Sequence, residues 1–112
     1  MTPSKRGAIV LVEFGYSEGI GSKKRPALIL STEQYHQSRH EVIVIAMTSN
    51  VSRLLAGDTL IKRWREAGLL FPSVATGIVR TIKANLIVRT LGTLPHQDLQ
   101  RVEQNLRHAL GL

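Results

Sequence analysis

The sequence predicts a mainly β fold: a small, strongly bent antiparallel β-barrel with a packed C-terminal α-helix over about 95–110. Three observations carry this. Most of the chain up to Leu94 consists of short apolar, β-branched runs separated by polar, Gly or Pro breaks. The tail then changes period, from strand-like runs to a helical spacing of apolar residues. Finally, 112 residues with 43% hydrophobic content and no cysteine make one domain, spanning 1–112, able to bury a core without disulfides.

The elements follow in order. "GAIVLVEF" (7–14) is nearly all apolar and reads as a buried strand. "PALILS" (26–31) is a second strand, with Pro26 at its first position, where a missing N–H does least harm. Thr32 caps a short turn, "TEQYHQ". "EVIVIAM" (41–47) is the clearest strand, and "DTLI" (58–61) a weaker one. "KRWREAGLL" (62–70) is one helical turn or an irregular segment, stopped by Gly68. "SVATGIVRTI" (73–82) and "LIVRTLGTL" (86–94) are two further strands, each with a glycine that marks a bulge or bend. In the tail, Leu99, Val102, Leu106 and Leu110 share one helix face, with Pro95 suited to the first turn and Gly111 to the stop.

Charge narrows the partners. Fifteen Lys and Arg against eight Asp and Glu give a net charge of +7, which attracts polyanions: nucleic acid, an anionic membrane or an acidic protein. Aromatic residues make up only 4%, too few for a wide base-stacking platform. The N-terminal apolar run "AIVLV" is too short for a secretory signal and Glu13 interrupts it. No stretch is long enough to span a bilayer, so a soluble, cytoplasmic protein is expected.

The chemistry lies in the loops. "GYSEGIGSKKRP" (15–26) has neither the Walker A order nor G-x-G-x-x-G, which excludes nucleotide hydrolysis of those kinds. Its glycines and its cations Lys23, Lys24 and Arg25 fit either a phosphate cradle or a solvated loop. Arg25 abuts Pro26 at a strand mouth, where a guanidinium can hold a phosphate bidentately. Thr48, Ser49 and Asn50 end the best strand, either to bind phosphate oxygens or to turn on their own backbone. His36, His40, His96 and His108 lack metal-ligand spacing and read as surface residues. Trp64, among cations, either stacks on a base or covers the barrel mouth.

Taken together, "GAIVLVEFGYSEGIGSKKRPALILS", "VIVIAMTSN", "WREAGLLFPSV" and "RTIKANLIVRTLGTL" resemble the MazF/PemK family of toxin endoribonucleases, in the family's order and spacing. The resemblance covers nearly the whole chain. It implies an SH3-like barrel, a homodimer, and cleavage of single-stranded RNA without a metal or other cofactor. It also implies a small acidic antitoxin as partner. The family's arginine before the proline falls on Arg25, and its hydroxyl at the end of the third strand on Thr48; both are implied to be catalytic. Ser17, Glu18, Lys23, Lys24, Ser49, Asn50, Arg53, Ser73, Arg80 and Thr81 are the implied RNA-binding residues, with Glu18 the candidate general base.

The chain departs from the family pattern before "RTI". There some members carry an arginine and an aspartate, and the nearest positions here are Ala75 and Gly77. A histidine that some members carry in the first loop is also missing. Two other readings stand beside the ribonuclease: a toxin of the same fold that inhibits a protein such as DNA gyrase, by analogy of fold alone, and a degenerate RNA-binding module, which these departures support.

Overall fold

The computed structural model describes residues 5–15 and 22–112. Six strands run in chain order: β1 (Ala8–Gly15), β2 (Ser22–Ile29), β3 (Glu41–Thr48), β4 (Thr59–Leu60), β5 (Val74–Lys83) and β6 (Ile87–Thr93). Helix α1 (Glu33–Arg39) joins β2 to β3, and α2 (His96–Leu110) follows β6. The spatial order is β4-β5-β3-β2-β1-β6, with every pair antiparallel. The mainly β fold with a C-terminal helix is as expected. The barrel, however, is open: among the described residues no strand pairing joins β4 or β5 to β6.

The strands look almost uniformly apolar because both faces of the sheet are buried. Alternate residues enter two cores. Ile9, Leu28, Ile45 and Met47 meet Leu99, Val102 and Leu106 of α2, together with Ile61, Ala67 and Leu69. Val10, Val12, Ala27, Ile29, Val42 and Val44 meet Ile82 and Ile87, so on this side the sheet curls onto itself. The short 3-10 turn Ala84–Leu86 makes that possible, since it carries the chain from β5 to β6 on the opposite flank. Burying each such Val, Ile or Leu side chain contributes about 1.5–3 kcal/mol.

Bulges supply the bend. In β5, the residues Thr76 to Ile78 oppose the single residue Ala46, because Ile45 pairs with Val79 and Met47 with Ala75. In β6, Leu91 is the extra residue between the pairs Ile9–Gly92 and Val10–Thr90. Both expected glycine bends thus fall at bulges. Gly92 has a second duty: a Cβ there would collide with the carbonyl of Ala67, and one on Gly68 with that of Leu91. The segment Lys62–Leu69 therefore lies backbone-to-backbone on β6. It is a run of turns closed by the Leu69 N–H bond to Trp64 O at 3.0 Å. Trp64 is half-buried and packs on the first core beneath the Arg65 guanidinium, as the covering reading expects.

Three sequence expectations need correction. Thr32 does cap α1, accepting from Tyr35 N–H at 3.3 Å, but His36 on that helix is buried at 1% exposure rather than on the surface. The Ser31 hydroxyl meets its Nε2 and also accepts from Ile43 N–H at 2.9 Å, while Nδ1 has no partner. Second, Leu110 is 63% exposed: the core-facing stripe of α2 ends at Leu106, and the last turn lies outside the core cluster before Gly111 caps it in the left-handed region. Third, β2 begins at Ser22, so Lys23, Lys24 and Arg25 are strand residues opposite Phe14, Glu13 and Val12. Pro26 accordingly sits mid-strand.

Candidate active site

The position of Pro26 creates the site. In antiparallel pairing, residues two apart aim their backbone groups at the same neighbour. Leu30 N–H donates to Ile43 O, so Leu28 and Pro26 also face β3. Proline has no N–H to give there, and the β2–β3 ladder covers only Ala27 to Ile29, whereas β1 follows β2 from Ser22 to Leu28. On the β3 side, the end of that ladder coincides with the bulge. Thr76 Oγ1 donates to the Ala46 carbonyl at 2.7 Å and accepts from Ile78 N–H. Asp58 takes the Gly77 N–H at 2.8 Å, holding the bulge from behind.

The two strands therefore splay, and a cavity of about 470 Å³ opens between them. Arg25 and Pro26 form one side, with Met47, Thr48 and Ser49 opposite. Leu69, Leu70, Phe71 and Ser73 make a third wall, and Leu11, Arg89 and Leu91 come from the β1–β6 pair. The ion pairs among the described residues use Arg6, Arg39, Arg63 and Arg101, which leaves the exposed Arg25 and Arg89 with no carboxylate partner. The cleft therefore sets two guanidiniums without a carboxylate partner beside the apolar side chains of Leu11, Met47, Leu69 and Leu91, a set of groups able to hold an anion.

Thr48 has both roles left open by its sequence. Its Oγ1 accepts from Asn50 N–H at 3.1 Å, the local turn. Accepting leaves the hydroxyl proton to donate into the cleft. Asn50 continues the turn by accepting from the Ser52 N–H and hydroxyl. The Ser73 hydroxyl is buried and donates to Phe71 O at 2.8 Å, so it fixes the wall.

The other expected RNA-binding positions do not line this cavity. Lys23 and Lys24 are exposed on β2 beyond Arg25, and Asn50 and Arg53 lie exposed in the loop after β3. Arg80 lies over the Phe14 ring, 4.9 Å from its centre, and Thr81 is its exposed neighbour on β5, paired with Ile43. Ser17 and Glu18 lie outside the described residues. Ala75 is fully buried, and a Cβ on Gly77 would approach Ala56 O to 2.9 Å, so neither position has room for an arginine or aspartate side chain. Sequence reading missed Arg89, Leu70 and Phe71. Arg89 reaches the cleft only through the non-local pairing of β6 with β1, which leaves no local sign. Among the described residues, no three His, Asp or Glu side chains gather as a metal site would need, and no helix is long and apolar enough to cross a membrane.

The fold is thus a small bent β-sheet whose cleft is lined by the cations Arg25 and Arg89 and the hydroxyls of Thr48, Ser49 and Ser73. A family model for PemK-like, MazF-like toxins of type II toxin–antitoxin systems matches residues 5–110, and the chain belongs to that family. No curated protein matches it by sequence. Solved structures do. The MazE–MazF complex (Form-II) of Deinococcus radiodurans aligns with a TM-score of 0.81 at 20% identity, over 97% of this chain and 96% of that one. A mycobacterial endoribonuclease in complex with its cognate antitoxin gives 0.78 at 19% identity, over 97% and 96%. The Mycobacterium tuberculosis toxin MazF-mt6 gives 0.72 at 25% identity, over 92% and 97%.

Proposed function

We propose that this toxin is an endoribonuclease that cleaves single-stranded RNA at the β2–β3 splay without a metal. One observation carries the reading: Arg25 and Thr48, distant in sequence, line the same cleft. In the reaction the substrate's 2′-oxygen attacks the adjacent phosphorus and the bond to the 5′-oxygen breaks. The 2′-proton passes to water, the leaving oxygen takes up a proton from water, and the products are a 2′,3′-cyclic phosphate and a 5′-OH. Negative charge gathers on the equatorial phosphate oxygens in the transition state. Arg25 faces that charge, and arginine side chains keep their protons in proteins, so its role is charge stabilisation. The Thr48 hydroxyl donates to a second oxygen and holds the phosphate in line. Arg89 takes a neighbouring phosphate.

The family and its solved relatives support a biological setting for this reading. The cationic cleft suits a small acidic antitoxin, whose carboxylates would occupy the phosphate positions. The protein would act as a homodimer in the cytoplasm. Incubation of the purified protein with single-stranded RNA in excess EDTA tests the activity. Fragments are expected, and Arg25→Ala should slow their appearance about 10²–10³-fold, the usual loss for a principal transition-state donor. RNA left intact by the natural protein would refute the reading.

A further inference from the structure

We infer that Phe71 is a base-stacking subsite of the cleft, holding one nucleobase beside the phosphate bound by Arg25; this rests on the ribonuclease reading above. Leu70 and Phe71 are 83% and 62% exposed, among the most exposed large apolar side chains of the described chain. The segment that presents them is anchored at both ends. Gly68 is locked against β6, Leu69 is buried, and the buried Ser73 hydroxyl holds the Phe71 carbonyl. Phe71 is thus displayed on a fixed ledge.

The other described aromatic rings are engaged. Tyr35 meets His36 and Arg39, Trp64 lies on the core beneath Arg65, and Phe14 lies under Arg80. Phe71 has no aromatic or cationic partner on its ring among the described residues. It lines the same cavity as Arg25, Thr48 and Arg89. A single-stranded nucleic acid supplies what that arrangement lacks: phosphates for the two guanidiniums and a flat π-face for the ring in the same cavity. The cavity volume of about 470 Å³ is within the range of small-molecule sites. Stacking is indifferent to base identity, so the residue sets affinity and register rather than the cleavage sequence.

The test uses short fluorescent random-sequence RNA with 2′-O-methyl groups, which lacks the nucleophile and stays uncut. A matching strand of abasic residues keeps the phosphates and omits the bases. Phe71→Ala should weaken binding of the base-bearing strand by about 5- to 150-fold. It should leave binding of the abasic strand, and the slope of log affinity against log salt, unchanged, because no phosphate contact is lost. Phe71→Trp should restore affinity. Arg89→Ala should lower the salt slope by about one contact's worth. Equal affinity of Phe71→Ala and the natural protein for the base-bearing strand would overturn the proposal, as would an equal loss on both strands. The second result would mean that the ring acts on the strand's backbone or on the shape of the cleft, not on a base. Cleavage of unmodified RNA by the natural protein is scored separately. If the protein cuts but Phe71→Ala binds normally, only the subsite fails. If it does not cut, the ribonuclease reading fails on its own.

Discussion

Replacing Asp98 with alanine should loosen the wall of the cleft from a distance. Asp98 lies in the first turn of α2 with its side chain 3% exposed. Its carboxylate accepts from Lys62 N–H at 3.3 Å, Arg63 N–H at 3.1 Å and the Arg101 guanidinium at 2.8 Å. Stranding the partner of a fully buried ion pair costs about 3–5 kcal/mol. That figure is too large here, because the Arg101 side chain is 37% exposed and re-solvates. What remains is two backbone N–H groups, at about 1 kcal/mol each, plus part of the charged bond, or about 2–3 kcal/mol in all. At about 2.1 cal/mol/K per residue, the 112-residue chain has an unfolding entropy of about 0.24 kcal/mol/K, so Tm should fall by about 10 °C. Thermal unfolding followed by circular dichroism measures this. Asp98→Asn keeps one acceptor and should lose about half as much. A fall below about 3 °C for the alanine variant would refute the reasoning, because it would mean that the Lys62 and Arg63 amides find water at no cost.

Three further outcomes are expected. Gly92→Ala forces its Cβ against the Ala67 carbonyl, backbone on backbone, and should cost about 3 kcal/mol in chemical denaturation, whereas Gly111→Ala, with open space around it, should cost only its left-handed backbone strain of about 1 kcal/mol. Burial lowers the pKa of His36 below its ordinary 6.5, with Glu33 pulling weakly the other way, so the unfolded chain takes up this proton first. The neutral side chain's contribution is therefore fully present above about pH 6.5 and drains as pH falls below it; Tm should decline there in the natural protein and less steeply in His36→Gln. Thr48→Val keeps the side-chain shape but removes the hydroxyl, and should lower kcat/KM for RNA at least about 10-fold while Thr48→Ser retains most of it.

Much of the fold was legible because its signals are local. The unbroken apolar runs of β1 and β3 reflect burial on both faces, and the 3.6-residue period of α2 reflects burial on one. Gly77 and Gly92 marked their bulges because only glycine tolerates those backbone approaches. The site was legible only in part, since what builds it is pairing between distant segments. Pro26 looked like the start of a strand; it sits mid-strand because β1 holds β2 from Ser22 onward, and it ends the ladder to β3 instead. Arg89 joins the cleft through β6–β1 pairing, and Phe71 through the Gly68–Gly92 contact. Likewise His36 and Asp98 look like surface residues in their own segments. Their burial depends on Ser31 in one case and on the Lys62–Arg63 backbone in the other.

The stretch GYSEGIGSKKRP concentrates the central claim in one residue. Its glycines suggested a phosphate cradle, but Arg25 alone of its three cations lines the cleft at the splay. Mapping the end chemistry of RNA fragments made by the natural protein and by Arg25→Ala, in excess EDTA, tests that claim most directly. Discrete cut sites bearing 5′-OH and 2′,3′-cyclic phosphate ends are expected from the natural protein, and their loss in the variant. Cuts of the same sites and end chemistry by Arg25→Ala, at an undiminished rate, would contradict the claim.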